Sequence, residues 1–162
     1  MRRLFVLAAA TALATAALAA EPPAHDISVR IDPQARTLEG RDTITFSSGA
    51  PAAALVLSAR FRLASLSVDG VTIRPDVAVS HGLQRIRLPA ARRVTLRWNG
   101  DLAALDTSLD HRATLTGNAP SAGLAGTFLP AGSGWYPGVE GRLETYRLSI
   151  ELPAGQRGLV PG

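Results

Sequence analysis

The side chains in this chain that could do chemistry are few, and their spacing limits what they can be. Three histidines, His25, His81 and His111, are 56 and 30 residues apart. Protein zinc sites usually declare themselves by local pairs such as H-E-x-x-H on a helix, and no such pair occurs here. The three therefore read as surface or turn histidines. Asp106, Thr107, Ser108, Asp110 and His111 form a polar cluster that raises a hydrolase triad. A triad also needs an oriented base and an oxyanion hole. No G-x-S-x-G elbow is present, so the cluster reads as ordinary loop chemistry. Glu140 and Glu144 could be drawn as the paired carboxylates of a glycosidase. They bracket the start of a strand, however, and read better as solvent-facing charges on it. Gly132, Gly134 and Gly138 make no phosphate cradle, because no helix follows them. Cysteine is absent, which removes a thiol nucleophile, Cys-based zinc sites and disulfides. No catalytic residue, metal ligand or cofactor is expected in this chain.

What remains is the aromatic triplet Trp135, Tyr136 and Pro137, rimmed by glycines. Such a loop can stack a sugar, border a substrate or seat a partner domain. Equally, both rings can plug the end of a β-sandwich. The triplet is the one candidate interface or substrate-side loop.

The elements that would position this loop are strands. Arg142 to Leu152 alternates cleanly, with Tyr146, Leu148, Ile150 and Leu152 on one parity. His25 to Ile31 alternates likewise through Ile27, Val29 and Ile31, and Thr37 to Phe46 follows the turn at Asp32-Pro33-Gln34. Gly40 inside that second strand implies a bulge or a close backbone approach. Ala54 to Ser58 is short and apolar. Leu63 to Val68 and Val71 to Ile73 flank Asp69-Gly70, the strongest hairpin signal in the chain. Val77 and Val79 continue the pattern to the turn at His81-Gly82. Leu83 to Leu88 and Arg92 to Trp98 make a further hairpin around Pro89-Ala90-Ala91, and Asn99-Gly100-Asp101 closes its second strand. From Leu102 to Gly126 the alternation dissolves, and a loop that long is usually functional or packed on a neighbour. Thr127 to Leu129 and a fresh strand over Arg157 to Val160 complete the pattern. No helical period is sustained after residue 20. The expected fold class is all-β: an antiparallel β-sandwich or saddle-like pair of curved sheets.

The first 19 residues read as a signal peptide. Arg2 and Arg3 form its basic region, Leu4 to Leu18 its apolar region, and Ala17-Leu18-Ala19 its cleavage site, with Ala20 as the second choice. Residues 20–24 read as a linker and 25–162 as one β-domain, which stops in mid-sheet as though truncated. The expected location is periplasmic or secreted, and no later segment is apolar enough to span a membrane. Removing the leader takes Arg2 and Arg3 with it, lowering the net charge from +4 to +2. Every cation is arginine, and the arginines are spread along strands and turns rather than clustered in sequence. A nucleic-acid partner is not expected.

Against this background a family resemblance emerges. H-D-I-S-V-R-I-D-P-Q-A-R-T-L-E-G-R-D-T-I-T-F resembles the first hairpin of the N-terminal domain of membrane-alanyl-aminopeptidase-like (gluzincin) zinc metallopeptidases, with Asp32, Leu38 and Gly40 in the motif positions. Arg93 to Leu102 resembles a later strand of that domain, which ends in aromatic-x-Gly-x-Leu. The segment G-T-F-L…W-Y-P…Y-R-L-S-I-E-L-P-A-G is similar to a divergent bacterial branch, with Trp-Tyr-Pro where Phe-Pro-Cys-x-Asp is usual. The resemblance implies a saddle-like β-domain, itself non-catalytic, that packs on a thermolysin-like catalytic domain of the same polypeptide and walls its peptide-substrate cleft. Zinc, held there by H-E-x-x-H and a downstream Glu, would activate water against a peptide carbonyl. Neither that motif nor a G-A-M-E-N-like loop occurs in these residues, so zinc is expected only in a catalytic domain missing here. The competing expectation is a stand-alone periplasmic β-sandwich binding module that uses the aromatic loop.

Overall fold

The computed structural model describes residues 21–50, 52–105, 119–130 and 132–159. The signal-peptide reading and the cluster from Asp106 to His111 lie outside the described residues. Among the described residues there are thirteen strands: β1 (Ala24–Asp32), β2 (Thr37–Ala50), β3 (Ala53–Ser58), β4 (Phe61–Val68), β5 (Val71–Thr72), β6 (Asp76–Ser80), β7 (Leu83–Leu88), β8 (Ala91–Asp101), β9 (Ala103–Ala104), β10 (Ser121–Gly123), β11 (Gly126–Phe128), β12 (Gly138–Val139) and β13 (Thr145–Glu151). They form a six-stranded sheet in the order β13-β1-β2-β8-β4-β5, a four-stranded sheet β12-β3-β7-β6, and a three-stranded sheet β11-β10-β9. The all-β expectation holds, and among the described residues there is no helix.

Alternation builds the core. Ile27, Val29 and Ile31 of β1, Leu38, Ile44 and Phe46 of β2, and Val94, Leu96 and Trp98 of β8 turn inward from the large sheet. Leu55 and Leu57 of β3 and Ile86 and Leu88 of β7 turn inward from the four-stranded sheet, and all belong to one buried cluster. Each such side chain is worth roughly 1.5–3 kcal/mol of transfer from water, so these faces set the register. The two hairpins are sharp because Asp69-Gly70 (φ 48° and 86°) and His81-Gly82 (φ 50° and 76°) adopt the left-handed conformations that two-residue turns demand. Asp69 also accepts hydrogen bonds from the backbone N–H of Arg92 (3.0 Å) and Arg93 (2.8 Å), which fixes the start of β8. A buried Gln84 ties the two sheets, donating from Nε2 to the carbonyls of Ser58 and Phe61.

Four features differ from the sequence-based expectation. β7 and β8 do not form a hairpin: β7 pairs with β3 and β6 in the four-stranded sheet and β8 with β2 and β4 in the six-stranded one, so the turn after Leu88 carries the chain from one sheet to the other. β13 pairs parallel to β1, from Ala24↔Thr145 to Arg30↔Glu151, and β9 pairs parallel to β10. A period of two reports a face but not a direction, so it could not show this. The last long strand starts at Thr145 rather than Arg142, because Gly141 takes a turn conformation (φ 70°). Arg157 to Leu159 is not a strand; it lies exposed and unpaired with any sheet.

Gly40 is a close approach rather than a bulge. The β2–β8 register runs unbroken from Thr37 to Thr45, and the Trp98 ring lies directly over the Gly40 Cα. A Cβ there would fall 2.8 Å from Cη2 of Trp98 and nearer still to Cζ2 and Cε2. Gly40→Ala is therefore expected to destabilise by overpacking, by about 1–3 kcal/mol. Urea unfolding measures it, and a cost near zero would mean that the indole has room to move.

Candidate docking surface

The aromatic loop is sewn to the core at both ends. Gly134 accepts a hydrogen bond from Ser58 N–H at 2.8 Å. Its own Cα has no room for a side chain, since a Cβ would sit 2.6 Å from that nitrogen. Trp98 Nε1 donates to the carbonyl of Trp135 at 3.0 Å. Gly138 and Val139 then pair with Val56 and Leu55 as β12, and Glu140 N–H donates to Ala54 O at 2.9 Å. Trp135 is only 8% exposed, and Pro137 is buried as well. Tyr136 is half-buried, packed edge-on against Trp135 with ring centroids 4.8 Å apart.

Beneath Tyr136 lies a polar network that the sequence reading missed. His25 is buried, not a surface histidine, and it packs edge-on to Tyr136 at 5.9 Å. Its Nδ1 donates to Asp42 Oδ2 at 2.6 Å, and neither side chain is exposed. Its Nε2 lies 3.4 Å from Glu144 Oε1. Glu144 also accepts from Tyr136 OH at 3.1 Å and from the backbone N–H of Val139. Glu144 is thus not a solvent-facing charge; its side chain is 11% exposed. Glu140 is the exposed one, paired with Arg85 at 2.5 Å. The two glutamates face different partners and do not form a glycosidase pair.

The protonation states follow from these contacts. Burial alone would depress the His25 pKa, but the Asp42 hydrogen bond and the Glu144 carboxylate outweigh it and raise it to about 9. Burial holds the Asp42 carboxyl above its usual range despite His25. Glu144 is held below its usual range, because His25, Val139 N–H and Tyr136 overcome the burial that opposes them. Burial and the nearby Glu144 push the Tyr136 phenol up to about 12. The network is thus an imidazolium held between two carboxylates, of which Glu144 is the more readily ionised.

This cannot act as a catalytic dyad, since His25 and Asp42 are closed to solvent and a base must reach its substrate. It pins the loop and the approach to β13 onto β1 and β2. His81 sits exposed in its turn, bonded to Ser80 at 2.7 Å. Among the described residues no group of three or more His, Asp or Glu side chains could hold a metal ion. The chain's described residues therefore do not fit a catalytic zinc. Also among them, no helix is long and apolar enough to cross a membrane.

The surface beside the loop is apolar. A groove of about 640 Å³ runs between β11, the end of β13 and the segment after it, and Trp135 forms part of its wall. Leu124 (83% exposed), Phe128 (41%) and Leu159 (97%) stand on its rim. Trp135 plugs the core with one side and lines the open groove with the other.

No family model matches the chain, and no curated protein does. Solved structures do match in fold. An M1 zinc metallopeptidase from Deinococcus radiodurans superposes with a TM-score of 0.51 at 15% identity, over 83% of this chain and 32% of its own. A two-domain M1 zinc metallopeptidase bound to L-tryptophan gives 0.52 at 17% identity, over 81% and 32%. An aminopeptidase N family protein from Idiomarina loihiensis gives 0.50 at 12% identity, over 80% and 22%. At these identities the likeness is one of fold: that of the N-terminal domain of M1 metallopeptidases. The chain spans about a third or less of the length of these structures.

Proposed function

We propose that this chain is the non-catalytic N-terminal β-domain of an exported zinc-aminopeptidase-like protein. In this reading it packs on a catalytic domain of the same polypeptide and walls one side of the peptide cleft. The leader at Met1 to Ala19 would send it to the periplasm or the medium. One observation carries the reading: a domain with the fold of the M1 N-terminal domain leaves an apolar groove open beside its aromatic loop. Contiguous exposed apolar surface, here edged by Leu124, Phe128 and Leu159, commonly marks an interface. The catalytic domain is the occupant the fold suggests, and the zinc would belong to it alone.

Two experiments test this. The coding DNA beyond codon 162 is expected to continue in frame to H-E-x-x-H. A frame that lacks the motif would overturn the peptidase assignment, and a stop codon would favour a stand-alone binding module. The purified protein is also expected to bind a hydrophobic dye at the groove. Leu124→Ser combined with Phe128→Ser should cut that binding by about threefold or more; unchanged binding would remove the groove as the docking face.

A further inference from the structure

The arginines that are scattered in sequence are gathered by the large sheet. Alternation turns Arg30 of β1, Arg41 of β2, Arg93 and Arg97 of β8, and Arg147 of β13 to its outer face, where all are exposed. At the centre, Arg41 and Arg97 are direct cross-strand partners. Like charges placed directly opposite destabilise a sheet, and the usual remedy is a carboxylate in the same row. Here the row reads Ser149, Ser28, Arg41, Arg97 and Ser65 across β13, β1, β2, β8 and β4. It contains no acid. In the next row Arg30 has a partner, Glu151, at 3.6 Å, whereas neither Arg41 nor Arg97 is in an ion pair among the described residues. The two line an open depression of about 610 Å³, with Ser28, Asn99 and Ser149 around it. Two carboxylates also line it, both from the Arg30 row: Glu151, which Arg30 pairs, and Glu39, the cross-strand partner of Arg30.

We propose that this depression binds a tetrahedral oxyanion of the phosphate class, bridged by the Arg41 and Arg97 guanidiniums. Geometry favours phosphate over a carboxylate. One arginine fork saturates both oxygens of a carboxylate, whereas two forks and flanking hydroxyls need three or four anionic oxygens. The bound anion would also cancel the repulsion that the bare pair suffers. The site lies on the polar outer face, apart from the apolar groove, and stands whether or not that groove docks a catalytic domain.

The test is binding of inorganic phosphate to the purified protein by calorimetry, alongside flotation with vesicles containing phosphatidic acid. Arg97→Gln and Arg41→Gln should each weaken binding on the order of tenfold or more, and Arg97→Lys by less, since it keeps the charge but loses the fork. Phosphate should raise the melting temperature of the native protein but not of Arg41→Gln with Arg97→Gln. Saturable binding of the free ion identifies a soluble ligand. Arginine-dependent flotation without binding of the free ion identifies a headgroup-borne phosphate. If neither occurs, or if both survive the double substitution, the site does not exist. These side chains are exposed, so unchanged circular dichroism is expected to confirm that each variant is folded.

Discussion

Trp98→Ala is expected to cost about 3–5 kcal/mol, measured by urea unfolding. The indole is 1% exposed and is the largest fully buried side chain in the core. It fills the space that Gly40 leaves on β2, and its Nε1 holds the Trp135 carbonyl. Truncation would open a cavity between the sheets and orphan that carbonyl, and both effects act on the aromatic loop. Set against a typical domain stability of about 5–15 kcal/mol, that is a large fraction. Trp98→Phe separates the contributions, because it keeps most of the ring and loses only the donor. It should cost less than alanine, and Gly40→Ala should be better tolerated in its presence. A Trp98→Ala variant within about 1 kcal/mol of the native protein would show that the indole is not a structural keystone.

The second large effect is at His25. His25→Ala leaves Asp42 fully buried without its partner, and breaking a buried ion pair from one side costs about 3–5 kcal/mol. Replacing both members, His25→Gln with Asp42→Asn, removes the stranded charge and should recover much of the loss. The pH dependence has a definite sign. His25 is raised from 6.5 to about 9 in the fold, so its stabilisation is fully present below about 6.5 and disappears as pH rises through about 9. Glu144, lowered from 4.5, contributes above that value and loses its contribution as pH falls. Asp42 is raised from 3.8 and acts in the opposite sense, favouring the fold as it protonates. The limb from about pH 6.5 to 9 therefore belongs to His25, and the one above about 10 to the Tyr136 phenol, raised from 10.0 to about 12. The melting temperature should decline between about pH 6.5 and 9, ahead of that second loss, and His25→Gln should flatten the first limb. A native profile flat over this range would mean that the imidazole is not charged in the fold.

Much of this was visible beforehand. Turn chemistry placed the hairpin at Asp69-Gly70 and the turn at His81-Gly82, and the alternation of Ile27, Val29 and Ile31 placed the first strand. The expected pairing of Leu83 to Leu88 with Arg92 to Trp98 fails, because two strands adjacent in sequence can as well face each other across the core in separate sheets. The His25–Asp42 pair is legible too, once strand parity is applied to polar residues. His25 shares parity with Ile27, and Asp42 shares parity with Leu38 and Ile44. An acid and a base with inward parity on adjacent hairpin strands must either meet or be stranded. Glu144 was not legible, because it precedes β13 and joins the pair only through the turn at Gly141 and the pairing of β12. The Arg41–Arg97 juxtaposition depends on the β2–β8 register, which no local pattern specifies.

The parallel seam between β1 and β13 has a consequence for how the chain comes into being. β13 is made long after β1, and until it emerges β1 can pair only with β2 of its two partners. Its other edge, Ala24 to Arg30, carries open backbone donors and acceptors beside inward-facing isoleucines and valine. An uncovered edge of this kind is a template for pairing with another chain. Closing it requires two strands far apart in sequence to meet, which is entropically among the later events of folding. The same delay applies to His25, which can find Asp42 early but Glu144 only when the seam closes. The nascent domain is thus most exposed to mispairing on β1.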